Sequence, residues 1–420
     1  TWRTGFDISR ASDDTYLRRY RFSSPATLTS NLFAEGFRKR NYFSANAYAF
    51  QGLKENDDPG QSPYVLPLID YNHIGQPDRL GGRTSLDLNF LALTRNKGTD
   101  TRRLSVAGGW KRPFTDGKGS IYTFSASLRG DLYNVNGLER GAGKAKYTGF
   151  SGRIRPEMSL DWRYPLVREE GTVYQLFEPL ASFIVTPYGG NSSKIPNEDS
   201  QEFELDDTNL FSVNRFTGLD RVDSGPRVSY GVKWGLFGEG GGYTTAFMGQ
   251  SYRLRKDSTF AGGSGLEGNF SDIVGKVMIA PSNRFSLLYR TRLDKDNLGA
   301  KRNEIKITAG VPAFLIEANY AFFDKQQNSE YPGREELSTS VSSKLNRFWR
   351  AGFNNIADLN ANEMRKIGLN MTYENECLIF STTAERTFFQ DRDLKPSDSI
   401  FFRISFKTLG DVATKVSSSP

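Results

Sequence analysis

The chain has 420 residues, 55 lysines and arginines against 48 acidic residues, and a mean hydropathy of −0.54. No run of 18 apolar residues occurs, which excludes a transmembrane helix. The basic excess is scattered and contains no basic run with interleaved aromatic residues, so the sequence does not predict a nucleic-acid partner. In an enclosed lumen the excess would attract anionic groups, although a scattered, solvated charge explains it equally well.

Alternation of apolar and polar side chains with a period of two residues recurs along the chain. This period is typical of a strand with one apolar and one polar side. Phe401 interrupts the polar side near the C-terminus. In chain order, the apolar sides are Trp2, Phe6 and Ile8; Leu86, Leu88, Phe90 and Ala92; Tyr122, Phe124, Ala126, Leu128 and Leu132; Ile367, Leu369, Met371 and Tyr373; and Ile400, Phe402, Ile404 and Phe406.

The clearest repeats are about ten residues long, the length with which a tilted strand crosses a bilayer. We therefore predict an all-β fold, a large antiparallel transmembrane β-barrel, with about 20 to 22 strands at roughly one strand per 20 residues. A soluble β-sandwich alternates in the same way. A sandwich of this length would need several domains, however, and no linker divides the chain.

The longest interruption of the strand pattern runs from Tyr188 to about Val222 and is polar and acidic. Long loops of a barrel usually lie on one side and often carry function. This loop is therefore a candidate for a functional role.

Catalytic and metal chemistry lack support in the sequence. The single histidine, His73, cannot form a multi-histidine metal site, and no histidine or cysteine cluster accompanies it. Gly137 to Lys144 superficially resembles a phosphate loop, but the spacing differs and Ala145 replaces the hydroxyl residue that binds magnesium. We interpret this segment as a turn, and we predict no catalytic residue, metal site, cofactor or enzyme activity.

One segment is specific enough to indicate a family. Its pattern is carried by Asp206, Asp207, Asn209, Asn214, Arg215, Phe216, Gly218, Asp220 and Arg221. Shorter matching segments, in order, are Ser12 to Leu17, Leu66 to Tyr71, Phe177 to Leu180, Gly249 to Tyr252, Ser271 to Gly275, Tyr373 to Cys377 and Ile400 to Phe406. Together they resemble the LptD family of outer-membrane LPS-assembly proteins, also called organic solvent tolerance proteins, over essentially the whole chain.

The resemblance implies a barrel of about 26 strands behind a periplasmic jelly-roll domain, in the outer membrane of a Gram-negative bacterium. It implies a translocon that inserts lipopolysaccharide (LPS) into the outer leaflet. The sugar would pass through the lumen and the lipid through a lateral seam between the first and last strands. The alternative function is a general porin or hydrophobic-compound channel; an outer-membrane enzyme and a soluble adhesin are weaker alternatives.

The partners implied by the resemblance follow from this function. They are LPS, an LptE-type plug lipoprotein in the lumen, a periplasmic LPS bridge that reaches the barrel through the N-terminal domain, the barrel-assembly machinery during folding, and outer-membrane lipid.

The first residues resemble a strand inside the family barrel rather than its first strand. We therefore expect the jelly roll and about four or five leading strands to lie outside this chain, which would leave two open sheet edges. On this expectation, residues 1–410 are barrel and 411–420 are a C-terminal tail. The seam would then be bounded by the last strand, about Ser399 to Leu409, through Ile400, Phe402, Ile404 and Phe406.

Two further expectations concern single sites. A lone cysteine is ordinarily a small, buried apolar residue, but the resemblance implies that Cys377 forms a disulfide in the oxidising periplasm with a cysteine upstream of Thr1. For Leu205 to Arg221, two roles remain open. Hydrogen bonds among Asn214, Asp220 and Arg221 would hold the loop, or the loop would contact the plug or the sugar directly; the structural role is favoured.

Overall fold

The computed structural model describes residues 1–19, 25–54, 56–141, 143–200, 204–325, 333–389, 396–408 and 410–418. Its 22 strands belong to one sheet, which confirms the predicted all-β fold and strand number. No helix in these residues is long and apolar enough to cross a membrane.

The elements follow one another along the chain with few interruptions. In the described residues there is one short helix, α1 Tyr16–Arg19. The strands are β1 Trp2–Asp7, β2 Thr27–Arg38, β3 Asn41–Gly52, β4 Tyr64–Ile74, β5 Arg83–Thr94, β6 Asp100–Thr115, β7 Ile121–Leu138, β8 Tyr147–Arg163, β9 Leu166–Glu170, β10 Val173–Val185, β11 Arg227–Gly238, β12 Tyr243–Arg253, β13 Ile273–Ser282, β14 Phe285–Leu293, β15 Ala300–Val311, β16 Phe314–Phe323, β17 Arg334–Lys344, β18 Trp349–Asp358, β19 Glu363–Glu374, β20 Leu378–Thr387, β21 Ser397–Phe406 and β22 Gly410–Ser418.

Each strand pairs antiparallel with its neighbours along the chain, so the sheet is a simple meander. The one variation is at β10, which pairs with β9 over Val173–Phe177 and with β8 over Leu180–Val185. Strands β8 and β9 therefore lie end to end and form a single pass across the sheet. Among the described residues, β1 pairs with β2 alone and β22 with β21 alone, and both edge strands run in the same direction.

The register separates an outward from an inward side. On β7, Leu128 and Leu132 are 57% and 50% exposed, whereas Asp131 and Tyr133 are 5% and 0% exposed. In a water-soluble sheet the apolar side would be the buried one. This inversion is the pattern of a barrel wall that faces lipid with its apolar side, and it confirms the predicted assignment of the two sides.

The connections also differ between the two ends of the sheet. One end, here called the long-loop end, has the connections 8–26, 53–63, 186–226 and 254–272. The other, the short-turn end, has turns such as 39–40, 283–284, 312–313 and 375–377. Outer-membrane barrels place short turns on the periplasmic side and long loops outside the cell. This asymmetry predicts that the short-turn end faces the periplasm and the long-loop end faces the outside of the cell.

The sheet curves around the 186–226 connection. Arg103 on β6 and Arg292 on β14 belong to distant strands, yet both contact this connection, through Asp199 and Glu204 respectively. The described core accordingly lies on the inward side of the wall. Its largest cluster combines Leu205 and Leu210 of the connection with Phe260, Leu266 and Val274.

The prediction of the last strand is wrong. Residues 411–418, predicted as a tail, belong to β22, which pairs with β21 so that Val412 and Val416 stand opposite Ile404 and Ile400. The segment has few apolar residues and ends in a serine-rich stretch, so its sequence shows no clear alternation that would reveal the strand. The proposed seam residues therefore lie on the penultimate strand, and Leu409 and residues 419 and 420 lie outside the described residues.

Candidate functional site

The connection between β10 and β11, here called the inner loop, comprises residues 186–226. Residues 201–203 within it lie outside the described residues. The predicted break from Tyr188 to Val222 is confirmed almost to its limits. The loop's backbone and carboxylates contact inward-facing side chains of β6, β7, β8, β11 and β12, so the loop fills the long-loop end of the lumen.

The first attachment joins two loop carboxylates to one arginine of the wall. Arg103 Nη1 lies 2.6 Å from Asp199 Oδ2 and 2.6 Å from Asp220 Oδ1. Asn89 Oδ1 accepts hydrogen bonds from the other side of the same guanidinium. The Tyr133 hydroxyl donates to Asp220 Oδ1 at 3.1 Å, and the Glu198 backbone N–H donates to Asp220 Oδ2 at 2.7 Å.

Two carboxylates beside one cation differ in acidity. Burial raises the pKa of Asp220, and the neighbouring Asp199 carboxylate raises it further against the attraction of Arg103. Burial also opposes ionisation of Asp199, but Arg103 and the backbone N–H groups of Leu219 and Asp220 hold the pKa of that carboxyl below its ordinary value. Asp199 is therefore the more firmly ionised member of the pair.

The second attachment is made to the loop backbone. Asp131 accepts hydrogen bonds from Arg129 and Arg153 and is fully buried between them. The same two guanidiniums donate to the Leu219 carbonyl, and Arg153 also donates to the Asp220 carbonyl at 2.9 Å. Asp131 thus orients two arginines that satisfy carbonyl groups of the loop.

The third attachment is a buried cluster centred on Asp223, here called the arginine cluster. The Asp223 carboxylate lies 3.4 Å from Arg215, 3.5 Å from Arg227 and 3.0 Å from Arg253, and all four side chains are at most 3% exposed. Arg155 donates to the Asp223 carbonyl. Burial lowers the pKa of Arg215 to about 9, so its guanidinium still carries its charge at neutral pH.

The predicted motif residues divide between these attachments. Arg215 donates to the Leu210 carbonyl and to the hydroxyls of Ser229 and Ser251, which ties the loop to β11 and β12. Phe216 stacks on Phe260 with ring centroids 4.7 Å apart. Gly218 has a φ of +70°, and an added Cβ would overlap the Asp199 carboxylate, so both its conformation and its contact require glycine.

The rest of the motif shapes the loop or faces the lumen. Asn214 donates to the Arg221 carbonyl at 3.2 Å, and Arg221 donates to the Ile195 carbonyl. Asn209 accepts from the Asp206 backbone N–H at 3.1 Å. The Asp207 carboxylate turns toward the wall, 3.0 Å from Lys276 and 3.2 Å from Arg290, while Asp206 lies 3.7 Å from Arg302.

Sequence reasoning missed the wall side of the site. Arg103, Arg153, Arg227 and Arg253 and the loop residue Asp223 were not predicted. The alternation could have revealed these residues. It assigns the arginines to the inward side of neighbouring strands, where an acidic loop is the expected partner.

Beneath the inner loop, the lumen wall forms a cleft of about 710 Å³. The loop contributes Asp207 and Phe211 to it, and the inward side of the wall contributes both apolar and basic side chains. These are Ile121, Leu176, Leu180, Phe247, Lys233 and Lys276. Asp161 also lines the cleft, and Lys276 already pairs with Asp207 at 3.0 Å, so the cleft offers its apolar surface and Lys233 to a negatively charged amphipathic group.

The predicted candidates for other chemistry lie apart from this site. His73 Nδ1 is 2.8 Å from Asn41 Oδ1 on the outward side of β4. Within the described ranges, no group of three or more histidine, cysteine, aspartate or glutamate side chains could hold a metal ion. Cys377 is exposed and free in the 375–377 turn at the short-turn end.

The arginine cluster should dominate the stability of the inner loop. Asp223→Asn removes the one carboxylate that contacts Arg215, Arg227 and Arg253 together, and it should lower the free energy of unfolding by ~3–5 kcal/mol because the cations stay buried. Urea unfolding of the full-length protein in detergent, followed by heat-modifiable gel mobility, measures this. The matched control is Asp58→Asn, which breaks the exposed pair with Lys97 and should have a much smaller effect, because water screens an exposed ion pair. Equal effects of the two substitutions would contradict the assignment.

The connection 254–272 is attached to the inner loop by a pH-sensitive contact. Asp257 accepts from the Ser224 hydroxyl at 2.7 Å and from the Thr259 backbone N–H at 2.9 Å. Burial opposes its ionisation, but these hydrogen bonds outweigh burial and lower the pKa of Asp257 below 3.8. A lowered folded-state pKa adds stability above the unfolded pKa, and this stability is lost as the pH falls through the folded pKa.

Asp257→Asn should therefore destabilise the protein at pH 7 and have a smaller effect at a pH below the lowered folded-state pKa, where wild-type Asp257 is protonated. Urea unfolding of both proteins at the two pH values provides the comparison. A destabilisation that is independent of pH would show that the carboxylate charge does not matter.

Comparison with known proteins identifies a family and several relatives that this chain resembles. A family model described as LPS transport system D matches residues 1–349. The LPS-assembly protein LptD of Escherichia coli is 25% identical over 348 residues, which cover 76% of this chain and 43% of that protein. The protein of the same name from Vibrio cholerae is 25% identical over 427 aligned residues, covering 90% of this chain and 51% of that protein. The chain spans about half the length of the curated relatives it matches.

Among solved structures, a ferric enterobactin receptor mutant from Pseudomonas aeruginosa superimposes with a TM-score of 0.42 at 9% identity, covering 93% of this chain and 72% of that one. The family assignment rests on the sequence match, which includes the inner loop and the strands that hold it. This chain belongs to the LptD family.

Proposed function

We propose that this chain is the membrane-embedded wall of a translocon that inserts LPS into the outer leaflet of a Gram-negative outer membrane. The family match over residues 1–349 is the observation that carries the proposal, because relatives of this family are named LPS-assembly proteins. The proposed activity is transport and assembly of LPS.

The two sides of the wall support this function. LPS is amphipathic, so its sugar needs a polar path and its acyl chains need an apolar one. Strand β7 offers both, with Asp131 and Arg129 inward and Leu128 and Leu132 outward. We propose that sugar follows the lumen and that lipid leaves through a lateral seam.

We propose the seam at the free edge of β22, the strand that follows β21 in the sheet. Strand β22 is the edge strand in the described residues, and its pairing with β21 spans Gly410 to Ser418. Ile400, Phe402, Ile404 and Phe406 lie on the outward side of β21, one strand in from this edge. They would line the lipid side of the seam.

The cleft beneath the inner loop is the proposed meeting point with partners. Its exposed Lys233 suits the acidic groups of LPS sugar, and its apolar side chains suit an LptE-type plug lipoprotein that enters from the short-turn end. The periplasmic LPS bridge and the N-terminal domain that receives it would approach from the same end, and the barrel-assembly machinery would fold the wall.

Photo-crosslinking in the native outer membrane tests the function. We expect a photoreactive residue at Lys233 in the lumen, or at Ile404 near the seam, to capture LPS in the full-length protein. When ATP is depleted, the Lys233 adduct should disappear and the Ile404 adduct should fall to the level of an ordinary lipid-facing position, because cargo supply stops. The control position, Leu369, faces outward on β19 and is 58% exposed, so its adduct with resident LPS should not depend on ATP.

Absence of LPS adducts at both Lys233 and Ile404 in the folded protein would contradict the translocon. Free diffusion of small solutes in the same cells would then favour the general porin.

We further propose that Cys377 forms a disulfide with a cysteine outside these 420 residues. The chain has no second cysteine, and Cys377 is exposed at the short-turn end, which would face the oxidising periplasm. Trapping of free thiols in the full-length protein should leave Cys377 unlabelled until a reductant is added, and Cys377→Ser should abolish the corresponding shift in nonreducing gels. Labelling of Cys377 without reductant would contradict the disulfide.

A further inference from the structure

The outward side of the wall has a groove where β6, β7 and β8 run together. Its volume is about 480 Å³, and its walls are Leu104, Val106, Leu132 and Ile154. The floor is the backbone at Gly130 and Gly152, since neither glycine projects a side chain. A Cβ on Gly152 would lie 2.8 Å from the Asp131 carbonyl oxygen, so the strand pair itself requires glycine there.

The floor at Gly130 is different, because an added Cβ would meet no atom within 4 Å. Packing within the protein therefore does not explain glycine at this position. The walls are exposed, and Ile154 is 77% exposed on the outward side. The groove is thus open to the lipid around the barrel and suits an acyl chain lying along the strands.

The groove lies at the outer limit of the apolar band. On β7, outward residues are apolar from Tyr122 to Leu132, about 33 Å along the strand and about 25 Å across a bilayer at a tilt of 40°. The next outward residues on β7 and β6 are polar, Asn134 and Arg102, and Arg102 donates to Asn134 Oδ1 at 3.3 Å. On β8 the residue at this level is the exposed Phe150, an aromatic side chain of the kind that lies at the membrane interface. An arginine at this level meets lipid head groups with its charge.

Further positive charge lies beyond Arg102, in the connection 139–146 at the long-loop end. This is the segment that resembles a phosphate loop in sequence. It carries Arg140, Lys144 and Lys146 against the single acid Glu139, which pairs with Lys146 at 3.0 Å. Cations therefore occur at two levels above the groove: Arg102 lies next to it, and Arg140 and Lys144 lie farther out. A phosphoglycerolipid presents its phosphate at one height, whereas LPS presents lipid phosphates and, farther out, acidic sugars.

We propose that this groove binds LPS in the outer leaflet, with one acyl chain over Gly130 and Gly152 and a lipid phosphate at Arg102. The acidic sugars lie against Arg140 and Lys144 at the long-loop end. The inference rests on the proposed function only in placing LPS in the leaflet on the long-loop side. The site is separate from the lumen and from the seam, and it holds LPS that has already been inserted.

A photoreactive residue at Ile154 in the full-length protein, in its native outer membrane, tests the site. Adducts are scored with an antibody against LPS and by mass spectrometry for phosphoglycerolipids. We expect an LPS adduct stronger than the one at the lipid-facing Leu369. Gly130→Leu should lower it to the Leu369 level by filling the groove, and Arg102→Gln should lower it by about tenfold through loss of a charged hydrogen bond. Gly108→Leu is the matched control, because Gly108 also faces outward with open space around it but does not line the groove; it should leave the adduct unchanged.

Three results would overturn the site. They are phosphoglycerolipid adducts alone at Ile154, an LPS adduct whose yield neither Gly130→Leu nor Arg102→Gln lowers, and equal capture at the outward Met248 of β12, which is 62% exposed. Failure of the proposed function is recognised separately, because it removes the ATP-dependent adducts at Lys233 and Ile404. The groove adduct requires only LPS already in the leaflet and would remain.

Discussion

Pairing between the carboxylates of the inner loop and the arginines of the inward wall is the interaction on which the rest of the structure depends. The outward side of the sheet faces lipid, so the wall gains little from packing its apolar residues against one another. Its interior is instead filled by a polar loop whose charges must be compensated. Asp223 lies among three arginines and Asp220 beside Arg103, all almost completely buried. Removal of one partner would leave an uncompensated buried charge.

The pairing of the inner loop with the wall also determines what a molecule in the lumen would meet first. The inner loop occupies the long-loop end, held on opposite parts of the wall by Arg103 and Arg292. The cleft with Lys233 and Phe247 lies beneath it. A cargo that enters from the short-turn end meets the cleft before the loop. Because the loop obstructs the straight path outward, the proposed lateral seam would give the lipid of the proposed cargo another route.

Inward and outward sides of one strand thus serve different purposes. On β7, Arg129 and Asp131 hold the inner loop, while Gly130 between them opens the outward groove. Because successive side chains point to opposite sides of a strand, substitution of an outward residue need not disturb the loop. The lipid-facing surface can therefore be specialised independently of the lumen.

The sequence by itself determined the all-β fold, the approximate strand number, the side of each strand that meets lipid and the limits of the long loop. These features follow from period-two alternation and its interruptions, which are local properties. The family pattern also marked the motif residues, including Arg215 and Gly218. The tertiary structure alone decided which charges meet. Arg103 and Asp220 are 117 positions apart, and Asp223 gathers arginines from separate strands, because these contacts form only when the sheet curves around its loop. Pairing of residues 410–418 with β21 was likewise visible only in the folded sheet, since this serine-rich segment shows too little apolar alternation to predict a strand.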